Sequence, residues 1–155
     1  MERRTVAAVP YSADQMFSLI ANVKKYPEFL PWCIALRVVA ESDDEILADM
    51  VVAYKVFREK FRSRTVLHRD ESVIDSYFVD GPFRKLHSRW RFEPRPDGDC
   101  VINFSISFEF KSLILQSAAV AVFEKAFARM TEAFVKRADD MYGVETMTRD
   151  TVNRD

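Results

Sequence analysis

The feature that most constrains this fold is a strictly alternating segment in the second half of the chain. Every second position there is apolar: Cys100, Ile102, Phe104, Ile106, Phe108 and Phe110. The positions between them are mostly polar, among them Asn103, Ser105 and Glu109. A period of two places the apolar set on one face of a β-strand. The segment therefore predicts a sheet with one buried face and one hydrated face.

A different period follows directly and predicts a long C-terminal helix from Ser112 to about Tyr142, ended by Gly143. Its apolar stripe recurs every three or four residues and consists of Leu115, Ala119, Val122, Phe123, Ala126, Phe127, Met130, Phe134 and Ala138. This stripe is the only segment long enough to cover the apolar face of the sheet. The tail 144–155 is polar, and we expect it to be disordered.

The remaining pattern predicts one strand, two short helices and then a run of strands. The helices are 13–21, with Ser12 and Gln15 as a capping box, and 24–29, capped by Asn22 and ended by Pro31. The predicted strands are 4–9, 33–41, 45–54, 57–69, 72–79, 85–94 and 99–111. We therefore expect one α+β domain over residues 1–143, with a curved antiparallel sheet of six to seven strands wrapped on the long helix.

Composition narrows the function classes. The net charge of −1 gives no global field that would attract DNA. Cys33 and Cys100 have neither CxxC spacing nor a nearby histidine pair, so we expect two reduced buried thiols and no metal site. The longest apolar stretch, residues 113–123, is shorter than the roughly 20 residues that a membrane-spanning helix requires. These features predict a cytoplasmic protein.

Thirteen phenylalanines suggest either a dense core or a wide apolar cavity. A sheet curled around a single helix cannot close tightly at both ends, so we expect an opening at one end. Four polar residues fall on inward-facing positions: Glu59, Ser63, Thr65 and Ser88. For Glu59 two interpretations stay open, a functional polar anchor or a structural partner of an arginine.

The outward positions carry a basic stripe: Arg58, Lys60, Arg62 and Arg64 on one strand, and Lys85, Arg89 and Arg91 on another. This stripe either binds phosphates of RNA or lipid or is a hydrated face balanced by acids. His68 and His87 also face outward, and we expect them to be hydrated. Residues 113–123 are apolar on nearly all sides, which indicates burial on both sides or contact with a membrane or a partner subunit.

Four segments carry a family resemblance: Val9–Ala13 with Met16 and Phe17, Tyr26–Cys33, Tyr54–Arg64, and Asp80–Phe83 followed by Leu86, Trp90 and Phe92. With them the chain resembles the START-like, helix-grip superfamily, also called polyketide cyclase/dehydrase. Within it the chain is similar to the coenzyme Q-binding branch, which includes bacterial ribosome association toxins.

The resemblance implies a lipid chaperone that binds ubiquinone or a similar polyprenyl lipid and supports respiratory electron transport. Ubiquinone would be a bound ligand and not a redox cofactor, no catalysis is implied, and transient contact with the inner membrane face is expected. The alternative is a ribosome-binding, toxin-like protein that blocks subunit association. A third hypothesis is a cyclase-like enzyme, for which Glu59 is the only candidate acid or base in the sequence.

We expect Phe29, Leu30 and Trp32 to flank the cavity mouth, opposite an apolar flap at Gly81–Phe83. The full set of predicted ligand contacts is Phe29, Leu30, Trp32, Phe61, Phe83, Leu86, Trp90, Phe104, Phe108, Leu115, Val122, Phe123 and Phe127, with Glu59 as the polar anchor.

Overall fold

The computed structural model describes residues 2–54 and 57–143, and of these the side chains of Tyr54, Phe57, Ala119, Ala121 and Val122 are outside the description. The described strands are β1 (Glu2–Val9), β2 (Cys33–Glu41), β3 (Glu45–Tyr54), β4 (Phe57–His68), β5 (Val73–Asp80), β6 (Phe83–Pro94) and β7 (Cys100–Phe110). The helices are α1 (Ala13–Ala21), α2 (Tyr26–Phe29) and α3 (Leu113–Ala138), and α3 continues into a π-helical turn, Asp139–Gly143. The predicted tail lies beyond the described residues.

The seven strands form one antiparallel sheet in the order β1-β7-β6-β5-β4-β3-β2. Strands β2 to β7 form a meander, and β1 joins its far edge by pairing with β7, with Val9 opposite Cys100. The short helices α1 and α2 fill the connection between β1 and β2. The predicted α+β, helix-grip architecture is confirmed.

The alternation in β7 positions its side chains as the sequence predicted. Five of its six inward residues are buried: Cys100, Ile102, Phe104, Phe108 and Phe110. The outward residues are half-exposed. The alternating pattern therefore identified both the strand and the face that packs inward.

The interior is filled unevenly along α3. In its C-terminal half Phe134 and Ala138 are buried in the main core together with α1, whose Met16 and Ile20 are completely inaccessible. In its N-terminal half Phe123 and Leu115 are only half-buried against a separate aromatic cluster. The helix thus seals one end of the sheet and covers the other end loosely.

Local signals in the sequence were mostly correct. Gln15 N donates to Ser12 Oγ at 3.1 Å, and the reciprocal bond completes the capping box. The prediction for Asn22 was wrong, because its side chain caps nothing and only its backbone carbonyl accepts a bond, from Lys25. Both cysteines are free and buried, and burial raises the pKa of the Cys33 thiol to about 11.

Several element boundaries differ from the prediction by one or more residues, and two of the differences bear on the cavity. The regular part of α3 ends at Ala138, before the predicted Tyr142, because its last turn widens into the π-helical turn that contains Gly143. Strand β6 begins at Phe83 and not at residue 85. Phe83 already pairs with Phe110 in register, so Gly81 and Pro82 alone make the turn.

Candidate ligand-binding cavity

A cavity of about 240 Å³ lies between the inner face of the sheet and α3 and is partly open to solvent. Nine of the predicted contact residues line it: Leu30, Trp32, Phe61, Phe83, Leu86, Trp90, Phe104, Phe108 and Phe123. Further wall residues that sequence reasoning missed come from the same inward positions, among them Met50, Ile106 and Met130. Their period-two or helical spacing is the signal that could have identified them.

Aromatic packing closes the end of the cavity nearest α1 and α2. Trp90 stacks on Phe104 with a centroid distance of 4.1 Å, and Phe134 meets Trp90 edge-on at 5.0 Å. Tyr26 packs edge-on against Phe134 from α2, and its hydroxyl donates to the carbonyl of Ile20. The rings of Trp90, Phe104 and Phe134 are all buried. They close this end of the cavity to solvent.

Toward the start of α3 the wall is less covered. Phe61, Leu86 and Phe123 are half-buried there. Phe83, predicted as part of an apolar flap at the cavity mouth, is a buried wall residue that meets Phe61 edge-on at 5.5 Å. It belongs to strand β6, because its backbone pairs with Phe110. The turn preceding it, and not the ring itself, is the surface feature.

Four predicted residues are not on the wall. Phe29 packs edge-on against Phe134 at 5.2 Å and lies under the guanidinium of Arg137. Phe127 stacks on Phe104 at 5.7 Å, and Leu115 packs against the Phe83 cluster, so both support the wall from behind. Glu59 is half-exposed on β4. The side chain of Val122 is outside the described part of the structure.

The polar part of the wall consists of hydroxyl groups. Ser63 and Thr65 on β4 are buried, as their inward positions predicted, and Ser76 on β5 and Ser88 on β6 join them. Thr65 Oγ1 and Ser76 Oγ lie 2.9 Å apart. Among the described wall residues none carries a charge. The site can therefore hold an uncharged, mainly apolar molecule and offer it hydrogen bonds.

The two histidines share a buried acidic partner. His68 and His87 do face outward, but each hydrogen-bonds to Asp75, at 3.1 and 2.8 Å. Asp75 is completely inaccessible, and Arg89 Nε also donates to it at 2.9 Å. Burial would raise the pKa of Asp75, but the hydrogen bonds from Arg89 and His87 outweigh it and lower that pKa. The sequence pattern gave no sign that an outward carboxylate would be covered by its neighbours.

The outward basic stripe is largely balanced by acids. Five of its seven members form ion pairs: Arg62 with Asp49, Arg64 with Glu45, Lys85 with Glu109, Arg89 with Asp75, and Arg91 with Glu93. This arrangement favours the interpretation of a hydrated, internally neutralised face over that of a phosphate-binding surface.

The first turn of α3 presents two large apolar side chains to solvent. Leu113 is 86% exposed and Ile114 is 83% exposed, so burial on both sides is excluded for this pair. Lys111 precedes them and donates its backbone N–H to Pro82 O, which places the pair beside the Gly81–Pro82 turn. Within the described residues, no helix combines the length and apolarity needed to cross a bilayer.

Comparison with known proteins places this architecture in a family. Residues 9–135 match the family model described as polyketide cyclase/dehydrase and lipid transport. The chain belongs to this family. Among structures of the same fold, a START superfamily protein from Mycobacterium smegmatis superposes with a TM-score of 0.78 over 90% of this chain and 98% of that one, at 14% identity. The predicted START-like fold is thereby confirmed.

Two relatives of the chain carry informative names. The ribosome association toxin RatA of Escherichia coli K12 is 36% identical over 88% of this chain and 85% of its own length. The coenzyme Q-binding protein COQ10 homolog B, mitochondrial, of Xenopus laevis is 33% identical over 86% of this chain and 56% of its own length. Neither name is that of an enzyme, although the family description includes cyclases.

Proposed function

We propose that the chain binds ubiquinone or a similar polyprenyl lipid in the cavity and acts as a lipid chaperone that supports respiratory electron transport. The observation that carries this proposal is the partly open cavity of about 240 Å³ with an uncharged wall of aromatic and aliphatic side chains. The coenzyme Q-binding name of the Xenopus relative supports the same ligand class.

The energetics suit such a ligand. Burial of apolar surface contributes about 25 cal/mol per Å², so an isoprenoid chain needs no hydrogen bond for useful affinity. The cavity volume is slightly below the range of about 300–1,000 Å³ typical of small-molecule sites. We therefore expect the cavity to enclose the ring and the first part of the tail, while the rest of a long tail lies toward the open side.

The wall gives no support for an enzyme. General acid–base chemistry requires a titratable side chain within reach of the substrate. Glu59, the one candidate from the sequence, is not among the wall residues. Ubiquinone is accordingly proposed as cargo and not as a redox cofactor.

The exposed pair Leu113–Ile114 supports a contact with the bilayer from which such a lipid must come. Basic residues flank the pair and the neighbouring turn along the chain: Lys111 precedes the pair and is exposed, and Arg84 and Lys85 follow the Gly81–Pro82 turn, are exposed and pair with Glu109 at 3.7 and 4.0 Å. Exposed apolar residues beside exposed lysine and arginine suit the headgroup region of an anionic membrane. We propose this turn as the contact with a bilayer during lipid exchange.

The test is direct. The purified full chain is extracted with organic solvent, and the extract is analysed by mass spectrometry for quinones. We expect a quinone at close to one molecule per chain, whereas the Phe104→Asp variant, which introduces a buried unpaired charge, should carry none. A wild-type chain that contains no prenyl lipid, and takes up none from ubiquinone-loaded vesicles, would contradict the proposal.

A second candidate is ribosome binding with interference in subunit association, which the name of the E. coli relative favours. Its test is co-sedimentation with ribosomal subunits at low salt. Release by high salt would indicate phosphate contacts. Sedimentation with subunits by a lipid-free chain would support this candidate at the expense of the first.

A further inference from the structure

The four serine and threonine side chains of the cavity wall lie close together on the sheet. In the sheet register Thr65 lies opposite Ser76, and Ser76 lies opposite Ser88, so three hydroxyls form a continuous row across β4, β5 and β6. Ser63 adds a fourth hydroxyl two positions along β4. We name these four residues the hydroxyl row.

The hydroxyl row has unused hydrogen-bonding capacity. Thr65 and Ser76 bond to each other, which consumes one of their two hydrogens. The hydroxyls of Ser63 and Ser88 form no hydrogen bond within the described residues, although Ser63 is only 7% exposed and lines the cavity. Neither oxygen is among the buried, unpartnered side-chain atoms of the described residues, so both can be reached from the cavity, where each hydroxyl can donate its hydrogen to a ligand atom.

The position of the row also gives the cavity a direction. On one side its neighbours along the sheet are Ile74 and Trp90, which are buried, and Trp90 belongs to the closing wall of the cavity. On the other side lie the half-buried Phe61 and Leu86, toward the less covered start of α3. The polar groups therefore lie toward the end of the cavity that Trp90 and Phe134 close, with Phe61 and Leu86 between them and the open side.

We propose that the hydroxyl row is the headgroup site and that the lipid binds head first, with its tail leading out past Phe61 and Phe123. Three donors remain for the ligand, one from the Thr65–Ser76 pair and one each from Ser63 and Ser88. The ligand class is an uncharged lipid whose ring or head carries carbonyl or hydroxyl oxygens. Phospholipids and fatty acids are excluded, because the wall residues supply no counter-charge. This inference rests on the proposed function.

The experiment compares two probes that share a tail. Ubiquinone-2 carries the quinone head, and the corresponding hydrocarbon of two isoprene units lacks it. Affinities of the full chain for both are measured for wild type, for the double variant Thr65→Val/Ser88→Ala, and for the control Ser105→Ala, which removes a hydroxyl from the outward face of β7. We expect the double variant to bind ubiquinone-2 roughly tenfold more weakly, with hydrocarbon affinity unchanged.

A spectroscopic signature separates hydrogen bonding from packing. The infrared stretch of a carbonyl-labelled ubiquinone-2 should shift to lower frequency in wild type and in Ser105→Ala, and return toward its value in hydrocarbon solvent in the double variant. Unchanged quinone affinity in the double variant, or equal loss for both probes, would overturn the headgroup site. A wild-type chain that binds hydrocarbon as tightly as quinone would overturn it too, yet leave the lipid proposal standing. Binding of neither probe would overturn both.

Discussion

Gly81 shows how one residue determines the shape of the cavity wall. Its φ of +144° lies where side chains are disfavoured, and a Cβ there would be only 2.7 Å from Phe61 Cβ. Gly98 also has a positive φ, of +90°, but a Cβ there would meet nothing within 4 Å. Both glycines therefore have a positive φ, but only Gly81 lies so close to a neighbouring residue that a Cβ would clash.

This pair allows a matched test. We expect Gly81→Ala to lower the free energy of unfolding by about 2 kcal/mol and to weaken lipid binding, because Phe61 must move. Gly98→Ala should cost less and leave lipid binding unchanged. Urea unfolding and a lipid titration measure both effects, and equal losses in the two variants would show that the Phe61 contact is irrelevant.

Asp75 makes stability depend on pH in a defined direction. Its pKa is lower in the folded chain than the ordinary value of 3.8, because hydrogen bonds from Arg89 and His87 outweigh the effect of burial. The ionised carboxylate therefore stabilises the fold fully above pH 3.8, and this contribution is lost as the pH falls through the lower, folded-state value.

We expect Asp75→Asn to be less stable than wild type by about 2 kcal/mol at pH 7. The difference should shrink as the pH falls below 3.8. Asp43→Asn, at an exposed position, is the control and should match wild type at every pH. A stability gap for Asp75→Asn that stays constant down to the acid limit would contradict the assigned role of the carboxylate.

Among the elements, α3 has a different environment in each of its halves. Its C-terminal half is a core helix, whereas its first turn exposes Leu113 and Ile114 to solvent. The apolar period identified the helix, but the residues that lie off the stripe could be assigned only from coordinates. Leu113 and Ile114 lie beside the Gly81–Pro82 turn, and this turn leaves both side chains uncovered. A helical pattern alone does not predict where such a turn lies.

The membrane contact is tested by the double variant Leu113→Ser/Ile114→Ser. We expect its binding to vesicles that contain phosphatidylglycerol to fall about tenfold, because two apolar side chains no longer enter the interface. Val6→Ser is the matched control, since Val6 is 67% exposed on β1, away from the cavity. Equal vesicle binding by the double variant and wild type would contradict the proposal that this turn contacts the bilayer.

For the whole molecule, the spacing of apolar residues along the sequence was sufficient to predict the architecture. The period-two segments predicted the strands and their inward faces, and the long stripe of α3 predicted the layer that covers them. Nine of the thirteen predicted apolar contacts line the cavity for the same reason. The buried Asp75 and the alignment of Thr65, Ser76 and Ser88 depend on the register between neighbouring strands, which the pattern of a single strand does not contain.

The substitution Ala126→Phe distinguishes a lipid cavity under α3 from a filled core. Ala126 lines the cavity, whereas Ala128 on the same helix is exposed, so Ala128→Phe is the matched control. A phenylalanine placed in a tight core costs about 1–3 kcal/mol, but one placed in a hollow should not. We predict that Ala126→Phe abolishes binding of ubiquinone-2 without lowering the free energy of unfolding, while Ala128→Phe binds normally. Ubiquinone-2 affinity equal to wild type in Ala126→Phe would contradict the account.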